Sequence, residues 1–377
     1  MERRAVRFFA EQSDPRTGLV RDRCRATGLE SRQVASIAAT GFGLSALCIA
    51  DRRRFLPRGE ASRRAARTLH FLASKAGHHR GFFWHFLDRR TGRRAWGSEA
   101  SSIDTTWLLC GVLHAKTHFD SPAIDRAARE IIDRVEWDWM LDGGKLLSHG
   151  WTPQGGFLPY RWDSYSELMA AYLLAMASET HPIPAACWDA WKRPLAGEGG
   201  RRFIGCAMPL FTHQYSHAWF DFRGLRDRYA DYFENSRKAT LANRQACIDA
   251  AGKYPWYGET IWGLTSCDSR GGYSQCDRPD GLVVPCAAGG SLPFLPQECA
   301  AVLESMLRRY GSQVWGRYGF VDAFHPGERW FGPDVLGIDL GITLLMAENA
   351  RSGSVWEAVK STPEARRGMA AAGFTAV

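Results

Sequence analysis

The sequence has no long apolar run and no arrangement of cysteines that marks a disulfide framework. No segment reaches the roughly 18 consecutive apolar residues of a membrane-spanning helix. The N-terminal stretch Met1–Phe9 carries charged residues instead of the apolar core of a secretory signal. The ten cysteines are spread along the chain without a CxxC pair, a pattern that favours reduced thiols. We therefore expect no membrane partner, and a cytoplasmic location for the sequence as it stands.

Signatures of nucleotide binding and of serine nucleophiles are also missing. There is no GxGxxG after a strand, no GxxxxGK[ST] loop and no GxSxG elbow. The net charge is +8, but the arginines fall into scattered clusters at predicted loops and helix ends. No helix-turn-helix or RNA-binding signature accompanies them. We therefore expect no nucleic-acid partner and no cofactor.

Aromatic residues, in contrast, are abundant, with 15 Trp, 20 Phe and 11 Tyr. A Trp or Tyr side chain combines a large apolar face with one polar group, so proteins often place it where an apolar wall meets a wet ligand. About half of the Trp residues are expected to fill the core, since Trp is usually highly buried. The others are candidates for a binding surface.

Helical periodicity recurs along the whole chain. In Ser31–Ala50 apolar residues follow each other at three- and four-residue spacing, and Pro122–Val135 begins with Pro after Ser, a typical helix start. Strand signals are short and few, at Leu146–Trp151, Gly156–Arg161 and Gly319–Ala323. The other predicted helices are Ser62–Lys75, Ser102–Thr117, Ser164–Ser178, Pro184–Lys192, Arg226–Ser236, Ser236–Ala251, Pro296–Tyr310, Gly337–Ser352, Ser354–Lys360 and Pro363–Ala372.

This pattern predicts an all-α fold with a few short strands in the loops. About twelve helices in one chain without a linker favour a closed (α/α)6 barrel, or six-hairpin toroid, formed by a single domain over residues 1–377. An α-solenoid is the competing architecture, but no repeat of fixed period is present. In a toroid the loops at one end converge on a central cleft, and function usually lies in such loops.

Five loop segments share an unusual composition, because each places an acidic side chain among aromatic residues at or near a predicted helix start. Aromatic faces stack on sugar rings, and carboxylates hydrogen-bond sugar hydroxyls. An apolar wall also raises the pKa of a carboxyl, as a general acid at neutral pH requires. A glycoside hydrolase is therefore the function that these segments favour. The segments are 81–105, 156–167, 211–224, 254–263 and 330–341.

Each acid in these segments also has a structural alternative. Asp104 fits the acidic first turn of a helix, and Glu167 closes a Ser-x-x-Glu capping box. Asp221 beside Arg223 fits a structural ion pair. Asp339 lies between two apolar residues at a helix start, where a buried carboxyl must be hydrogen-bonded or functional.

One histidine pair has the spacing of a zinc motif. His213 and His217 lie four residues apart as in HExxH, but Gln214 stands where that motif has Glu, and no third ligand is evident. Contacts with sugar hydroxyls or helix capping are the favoured interpretations. We therefore expect no metal.

At these segments the sequence resembles the glucoamylase-like bacterial family that includes glycoside hydrolase family 144, the β-1,2-glucanases. The resemblance runs in order from about residue 8 to about residue 372. It implies an (α/α)6 barrel and inverting hydrolysis of β-1,2-glucan or sophoro-oligosaccharides without a metal, by endo or exo action. Members of the family are often exported. The matching stretches are Gly18–Arg23, Ser101–Thr105, Trp162–Glu167, His213–Gly224, Tyr232–Ser236, Gly289–Phe294, Gly319–Phe324 and Leu336–Asp339.

The resemblance also implies roles for individual residues. By position, Glu167 corresponds to the general acid, Asp339 or as second choice Asp334 to the residue that activates water, and Asp104 to a further essential acid. Inverting enzymes hold acid and base about 6.5–9.5 Å apart, or farther if a substrate hydroxyl relays the proton. The candidate substrate-binding residues are Arg21, Arg23, Trp84, Glu99, Trp162, Tyr165, His213, Tyr215, Trp219, Asp221, Arg223, Trp256, Glu259, Trp262, Trp330 and Asp334.

Two departures from the family pattern leave the substrate open. The Trp-Asn-Glu-Tyr word of the family reads Trp162-Asp163-Ser164-Tyr165 here, and the segment 267–276 is altered, together with Cys286. A hydrolase acting on another glucan linkage, a non-catalytic carbohydrate-binding protein on the same scaffold and an α/α-barrel polysaccharide lyase therefore stay as alternatives. In each case we expect a monomer that binds an oligo- or polysaccharide.

Overall fold

The computed structural model describes all 377 residues. The chain is rich in helix, with 13 α-helices and 19 strands of only two or three residues. The helices are α1 (Glu2–Gln12), α2 (Ile37–Arg52), α3 (Glu60–Ser74), α4 (Ser102–His118), α5 (Pro122–Asp133), α6 (Met169–Ala177), α7 (Tyr215–Trp219), α8 (Tyr232–Asp249), α9 (Pro285–Gly289), α10 (Pro296–Tyr310), α11 (Gly337–Ser352), α12 (Ser354–Lys360) and α13 (Pro363–Ala371).

The strands form small antiparallel ladders between the helices, and no central sheet is present. Three strands lead directly into α2, α4 and α11, so their ladders determine where these helices begin. The pairs are Arg23–Arg25 with Asp334–Leu336, Val34–Ser36 with Phe86–Asp88, His78–His79 with Phe82–Phe83, Ala100–Ser101 with Gly150–Thr152, Gly150–Thr152 with Gly156–Phe157, Leu195–Ala196 with Phe203–Ile204, Leu225–Arg226 with Thr375–Ala376, Cys267–Ser269 with Gly272–Ser274, Trp315–Gly316 with Gly319–Phe320, and Phe324–His325 with Trp330–Phe331.

The helices fall into two kinds according to how much of their surface is buried. In α2, 14 of 16 residues are buried, and all nine residues of α6 are. In α5 only Ile124, Ala127, Ala128 and Ile131 are buried, which is one stripe at helical spacing. Helices buried on all sides form the inside of the molecule, and amphipathic helices such as α5 cover them. None of the helices combines the length and apolarity that a membrane crossing requires.

Two glycines allow α2 and α4 to pack with their backbones in direct contact. A Cβ atom at Gly41 would lie 2.2 Å from the carbonyl oxygen of Trp107, and one at Gly111 would lie 2.1 Å from that of Gly41. Any larger residue would push the helices apart. This contact holds α2 and α4 side by side. Ser36 and Ser101 cap the N-terminal ends of the two helices by accepting hydrogen bonds from backbone N–H groups.

Most of the long helices lie where periodicity predicts them. Helices α10, α11 and α12 have the predicted bounds, and α3, α4, α5 and α13 begin and end within two residues of them. The predicted helix Arg226–Ser236 is wrong in its first half, and its second half forms one continuous helix, α8, with the predicted Ser236–Ala251. The Asp227 side chain accepts hydrogen bonds from the backbone N–H groups of Tyr229 and Ala230, which makes a turn, and α8 begins only after its N-cap Asp231.

Other element boundaries differ because local pairing competes with the helix. Residues Val34–Ser36 pair as a strand, so α2 begins at Ile37 and not at Ser31. Helix α6 begins at Met169 and not at Ser164, and Pro184–Lys192 contains only a 3-10 turn at Ala185–Cys187. Helices α1, α7 and α9 are additional elements, of which α1 has the amphipathic pattern that periodicity should have identified.

Candidate active site

A cavity of about 480 Å³ opens where several helices begin. It receives residues from the N-terminal ends of α2, α4, α7 and α11 and from the loop before α6. Helix N-terminal ends carry partial positive charge, and this arrangement stabilises negative charge in the cavity. The lining residues are Asp22, Arg23, Ser36, Ala38, His85, Phe86, Trp96, Ile103, Asp104, Trp107, Glu167, Phe211, Tyr215, Ser266, Tyr273, Leu336, Ile338 and Asp339.

The three acids that the sequence singles out for catalysis all line this cavity. Asp104 is the third residue of α4, Asp339 is the third residue of α11, and Glu167 lies two residues before α6. They come from three distant parts of the chain. Their meeting follows from the convergence of helix starts at one end of the fold.

Glu167 is not a helix-capping residue. Helix α6 has Leu168 at its N-cap, without a side-chain cap, so the capping-box interpretation is wrong. The Glu167 backbone carbonyl accepts a hydrogen bond of 2.7 Å from Ser216 Oγ, which holds the loop in place. Burial, with a smaller contribution from the negative charge of Asp104, raises the pKa of Glu167 to about 7. A carboxyl in this state can deliver a proton near neutral pH.

Asp104 lies in a chain of polar contacts that the sequence does not reveal. His85 Nε2 lies 3.4 Å from Asp104 Oδ1, and His85 Nδ1 lies 2.9 Å from Glu99 Oε1. Burial alone would lower the pKa of His85, but Asp104 and Glu99 outweigh it and raise the pKa to about 9. Ser101 Oγ also donates to Asp104 Oδ2 at 2.6 Å. The helix-start interpretation of Asp104 therefore holds together with its place in the cavity.

Asp339 is paired with a second carboxyl, that of Asp322, and with the Cys286 thiol. Asp322 Oδ2 accepts a hydrogen bond of 2.6 Å from the Asp268 backbone N–H, and Asp322 Oδ1 is buried with no N–H or hydroxyl donor. Two carboxyls can hydrogen-bond only if one of them carries a proton. Burial raises the pKa of both groups, and the charge of Asp339 raises that of Asp322 further.

Few cations face these acids. Arg23 lines the cavity, but its guanidinium is bound to Asp22 at 3.0 Å and to Asp268 at 2.7 Å. No arginine or lysine lies within ion-pair distance of Glu167 or Asp339. Both carboxyls therefore keep raised pKa values, and each is able to exchange a proton.

None of the six tryptophans predicted to bind substrate lines this cavity. Trp219 and Trp262 have no exposed surface, and the Trp162 indole N–H is bound to Ser102 Oγ. The Trp256 indole N–H is bound to the Gly281 carbonyl oxygen, and the guanidinium of Arg94 covers Trp84. Trp330 packs against the core from its own hairpin. The residue type Trp predicts a partly buried side chain, but it does not predict the direction in which the indole ring points.

Several predicted polar contacts also lie elsewhere. Asp221 and Arg223 form the structural ion pair that was the alternative, with N–O distances of 2.8 and 2.9 Å. His213 and Tyr165 hydrogen-bond each other in the core at 3.1 Å. The remaining candidates outside the cavity lining are the buried Arg21, the exposed Glu259, Glu99 behind His85, and Asp334, which is ion-paired with Arg32 and Arg25. Of the substrate-binding candidates, Arg23 and Tyr215 line the cavity.

Other cavity residues were absent from the sequence prediction. His85 and Phe86 stack at 3.9 Å, and Trp96 and Tyr273 are 70% and 59% exposed at the rim. His85 could have been predicted from the sequence, since it lies within the aromatic-rich stretch 81–86. Tyr273 belongs to the altered segment 267–276, which does line the cavity, so the departure from the family pattern lies at the site itself.

Comparisons with known proteins agree on one family. Residues 159–363 match the model of the Glycoamylase family, which is described as "Putative glucoamylase". A structure described in the same words, from Bacteroides caccae, is 30% identical, superposes with a TM-score of 0.93, and the match covers 100% of this chain and 98% of the other. Asp104 lies outside the matched range, whereas Glu167 and Asp339 lie within it.

Two further relatives have named activities. An endo-β-1,2-glucanase from Chitinophaga pinensis, solved with sophorotriose and glucose, is 28% identical with a TM-score of 0.93, over 100% of this chain and 97% of that one. An exo-β-1,2-glucooligosaccharide sophorohydrolase from Parabacteroides distasonis is 28% identical over 96% of this chain. This chain spans only 56% of the length of that relative.

Proposed function

This chain belongs to the Glycoamylase family, and from that premise we propose that it is a glycoside hydrolase of β-1,2-linked glucan or sophoro-oligosaccharides. The observation that carries the proposal is the meeting of Glu167, Asp339 and Asp104 at one cavity of about 480 Å³ with aromatic walls. A cavity of this volume is of the usual size for a small-molecule or oligosaccharide site. Its carboxyls supply the acid and base of glycoside hydrolysis.

Glu167 is the proposed general acid. Its raised pKa of about 7 leaves a substantial protonated fraction at neutral pH, and its position at the cavity wall gives the proton access to a bound glycoside. It protonates the leaving oxygen, directly or through a substrate hydroxyl. The bond between the anomeric carbon and that oxygen breaks as the proton arrives, so that no alkoxide has to leave.

Asp339 is the proposed base, and Asp322 holds it in the state that a base requires. The proton shared by the pair stays on Asp322, whose pKa is raised further by the charge of its partner. Asp339 then accepts a proton from the attacking water while hydrogen bonds from Asp322 and Cys286 steady its carboxylate. Asp334 is less suited to this role, since Arg32 Nη1 at 2.7 Å keeps its carboxylate neutralised.

Asp104 is proposed as an electrostatic and substrate-binding group. It contributes to the raised pKa of Glu167, and its contact with His85 places a cationic imidazole at the cavity wall. The exposed Trp96 and Tyr273 are suited to stack on sugar rings, and Arg23 to bind hydroxyls. These residues, and not the six tryptophans predicted from the sequence, are the proposed sugar contacts.

The same premise supports a proposal about architecture. The buried helices α2, α4, α6 and α11 form an inner layer whose N-terminal ends meet at the cavity, and amphipathic helices such as α3 and α5 lie outside it. We propose that they close into an (α/α)6 barrel, that residues 1–377 are one domain, and that it acts as a monomer.

The experiment that tests the function is hydrolysis of a panel of linkage-defined glucans with NMR detection of the anomer first released. We expect turnover of β-1,2-linked oligomers, α-anomer first, and turnover lowered by about 1,000-fold in Glu167→Gln. A β-anomer first would overturn the single displacement. An unsaturated product that absorbs in the ultraviolet would identify a lyase, and binding without turnover would identify a binding protein. Turnover of another linkage alone would overturn the substrate assignment.

A further inference from the structure

A second group of ligand-type side chains lies at the opposite end of α2 and α4 from the cavity. Cys48 belongs to the last part of α2, and His114 and His118 belong to the last part of α4. Their sulfur and imidazole nitrogen atoms all lie within 4.8 Å of one another. Asp51, on α2, contacts His118 Nε2 through Oδ2 at 3.1 Å. At 1.5 Å per residue, His118 is about 20 Å along α4 from Asp104.

We propose that Cys48, His114, His118 and Asp51 bind a zinc-class divalent metal ion that fastens α2 to α4. The prediction that the chain binds no metal rested on a different histidine pair, which is buried and hydrogen-bonded in the core. Spacing supports the new site, because residues three or four apart on a helix share a face. His114 and His118 are four apart on α4, and Cys48 and Asp51 are three apart on α2.

The strongest structural support is the state of His114. The residue is 97% buried, since its exposure is 3%, and Nδ1 is enclosed without any hydrogen-bond partner. Buried polar groups are nearly always satisfied, and an unpaired one needs a physical explanation, of which a bound ion is one. A metal ion would supply the missing partner. Cys48 Sγ is also available, since its one hydrogen bond is a weak S–H donation of 3.3 Å to the Leu44 carbonyl oxygen of its own helix.

The donor set fits zinc in type, number and charge. Cysteine, histidine and aspartate are its usual ligands, and four of them complete a tetrahedral structural site. A Cys48 thiolate and the Asp51 carboxylate together neutralise a divalent ion, and the partial negative charge at two helix C-terminal ends favours a cation. Bond lengths of about 2.0–2.3 Å bring tetrahedral ligand atoms to about 3.5 Å from one another. The ligand atoms of Cys48, His114 and His118 already lie within 4.8 Å of one another, so small side-chain rotations bring them to that distance, and Asp51 is held next to them by its contact with His118.

Access to the site is available from solvent. The side chains of His118 and Asp51 are 19% and 39% exposed, whereas Cys48 and His114 are enclosed. A metal ion can therefore meet the outer pair first and reach the inner pair by small side-chain movements. Because Gly41 and Gly111 already press α2 against α4, the ligands from both helices are held near one another before the ion arrives.

Titration of the untagged full chain with cobalt(II) tests the proposal, because tetrahedral cobalt absorbs in the visible and a cobalt–thiolate bond absorbs in the near ultraviolet. We expect one equivalent to bind with both bands, and zinc to displace it. Cys48→Ala should lose the near-ultraviolet band, and His118→Gln should weaken binding at least tenfold. Zinc should raise the Tm of the unchanged chain but not that of Cys48→Ala.

Two matched variants serve as controls. Cys299→Ala removes an equally buried free thiol from α10, and His70→Gln removes an exposed histidine from α3. Both should bind cobalt as the unchanged chain does. The proposal is overturned if no near-ultraviolet band develops, if Cys48→Ala keeps that band, or if either control variant loses it. It is also overturned if zinc leaves the Tm unchanged, and neither readout depends on hydrolysis.

Discussion

Acidic side chains with little exposure occur in two settings within this fold, and they differ in what surrounds them. The cleft acids Glu167 and Asp339 face the cavity without an arginine or lysine partner. The scaffold acids, in contrast, are ion-paired. The Glu348 carboxylate binds Arg53 at 2.8 Å, and that of Asp334 binds Arg32 at 2.7 Å.

The difference appears directly in the pKa values. Burial alone would raise the pKa of Glu348, but the hydrogen bonds from Arg53, Ser352 and Ser354 lower it below its ordinary value. For Glu167 nothing offsets burial sufficiently, and the pKa rises to about 7. The Glu348 carboxylate is therefore held in its charged form, whereas the Glu167 carboxyl is free to change its charge state near neutral pH. The Arg53 partner therefore marks Glu348 as a structural acid. The lack of an arginine or lysine partner marks Glu167 as an acid that is able to transfer protons.

Glu167→Gln is the sharpest test of this separation. Removal of the proton donor should lower kcat on β-1,2-linked substrate by about 1,000-fold, within the range for a positioned general acid. KM and Tm should change little, since Gln has the same shape. Steady-state kinetics and thermal unfolding measure both. An unchanged kcat would place the acid elsewhere.

Glu348→Gln should have the opposite effect. The change leaves the partly buried Arg53 without its carboxylate partner, and loss of one member of such a pair costs about 2–4 kcal/mol of stability. At about 2 kcal/mol the folding equilibrium changes roughly 30-fold. Thermal unfolding measures the loss, and kcat per folded molecule should stay unchanged. A fall in kcat at constant Tm would mean that the scaffold acid takes part in chemistry.

Asp322 tests whether the carboxyl pair prepares the base. Asp322→Asn can still accept from the Asp268 N–H and donate to Asp339, so it should retain most activity. Asp322→Ala removes both bonds, leaves a buried donor unsatisfied, and should lower kcat about tenfold or more. Comparison of the two pH profiles separates this role from a packing role, because only the alanine variant should move the acidic limb. Equal losses in both variants would argue against a shared proton.

The pH dependence of the cleft provides a smaller effect. Glu167 acts in its protonated form, so kcat/KM should fall as pH rises through its pKa of about 7. Asp104→Asn removes a negative charge that raises this pKa. The alkaline limb should therefore move to lower pH, with a loss of a few-fold at pH 7 beyond any change in the plateau. A limb that stays in place would exclude coupling between the two acids.

Much of the helical framework was predictable, since long helices depend on periodicity that is local in sequence. Helices α10 and α11 have the predicted bounds. The errors occur where a side chain offers the backbone another partner, as Asp227 does before α8, or where a short strand pairs first, as Val34–Ser36 does before α2. Such partners are distant or conditional, and periodicity does not contain them.

The sequence predicts the three candidate catalytic acids of the cavity but not the residues that form its walls. Asp104, Glu167 and Asp339 stand at or beside helix starts, and helix starts converge, so their position in sequence carries spatial information. The direction of a ring does not, which is why Trp219 lies in the core and Trp96 at the rim. Asp322 was missed because its importance comes only from contact with Asp339.

Asp221 offers the smallest effect and the cleanest control, since the sequence gives it the same acid-among-aromatics setting as the cleft acids. In the structure its carboxylate binds Arg223, whose side chain is 49% exposed, away from the cavity. A pair this accessible is screened by water and contributes less than about 1 kcal/mol. Asp221→Asn should therefore leave kcat within about twofold and Tm nearly unchanged. If kcat instead fell as it does for Glu167→Gln, an ion pair would no longer distinguish scaffold from cleft, and the functional site would have to extend to the loop that follows α7.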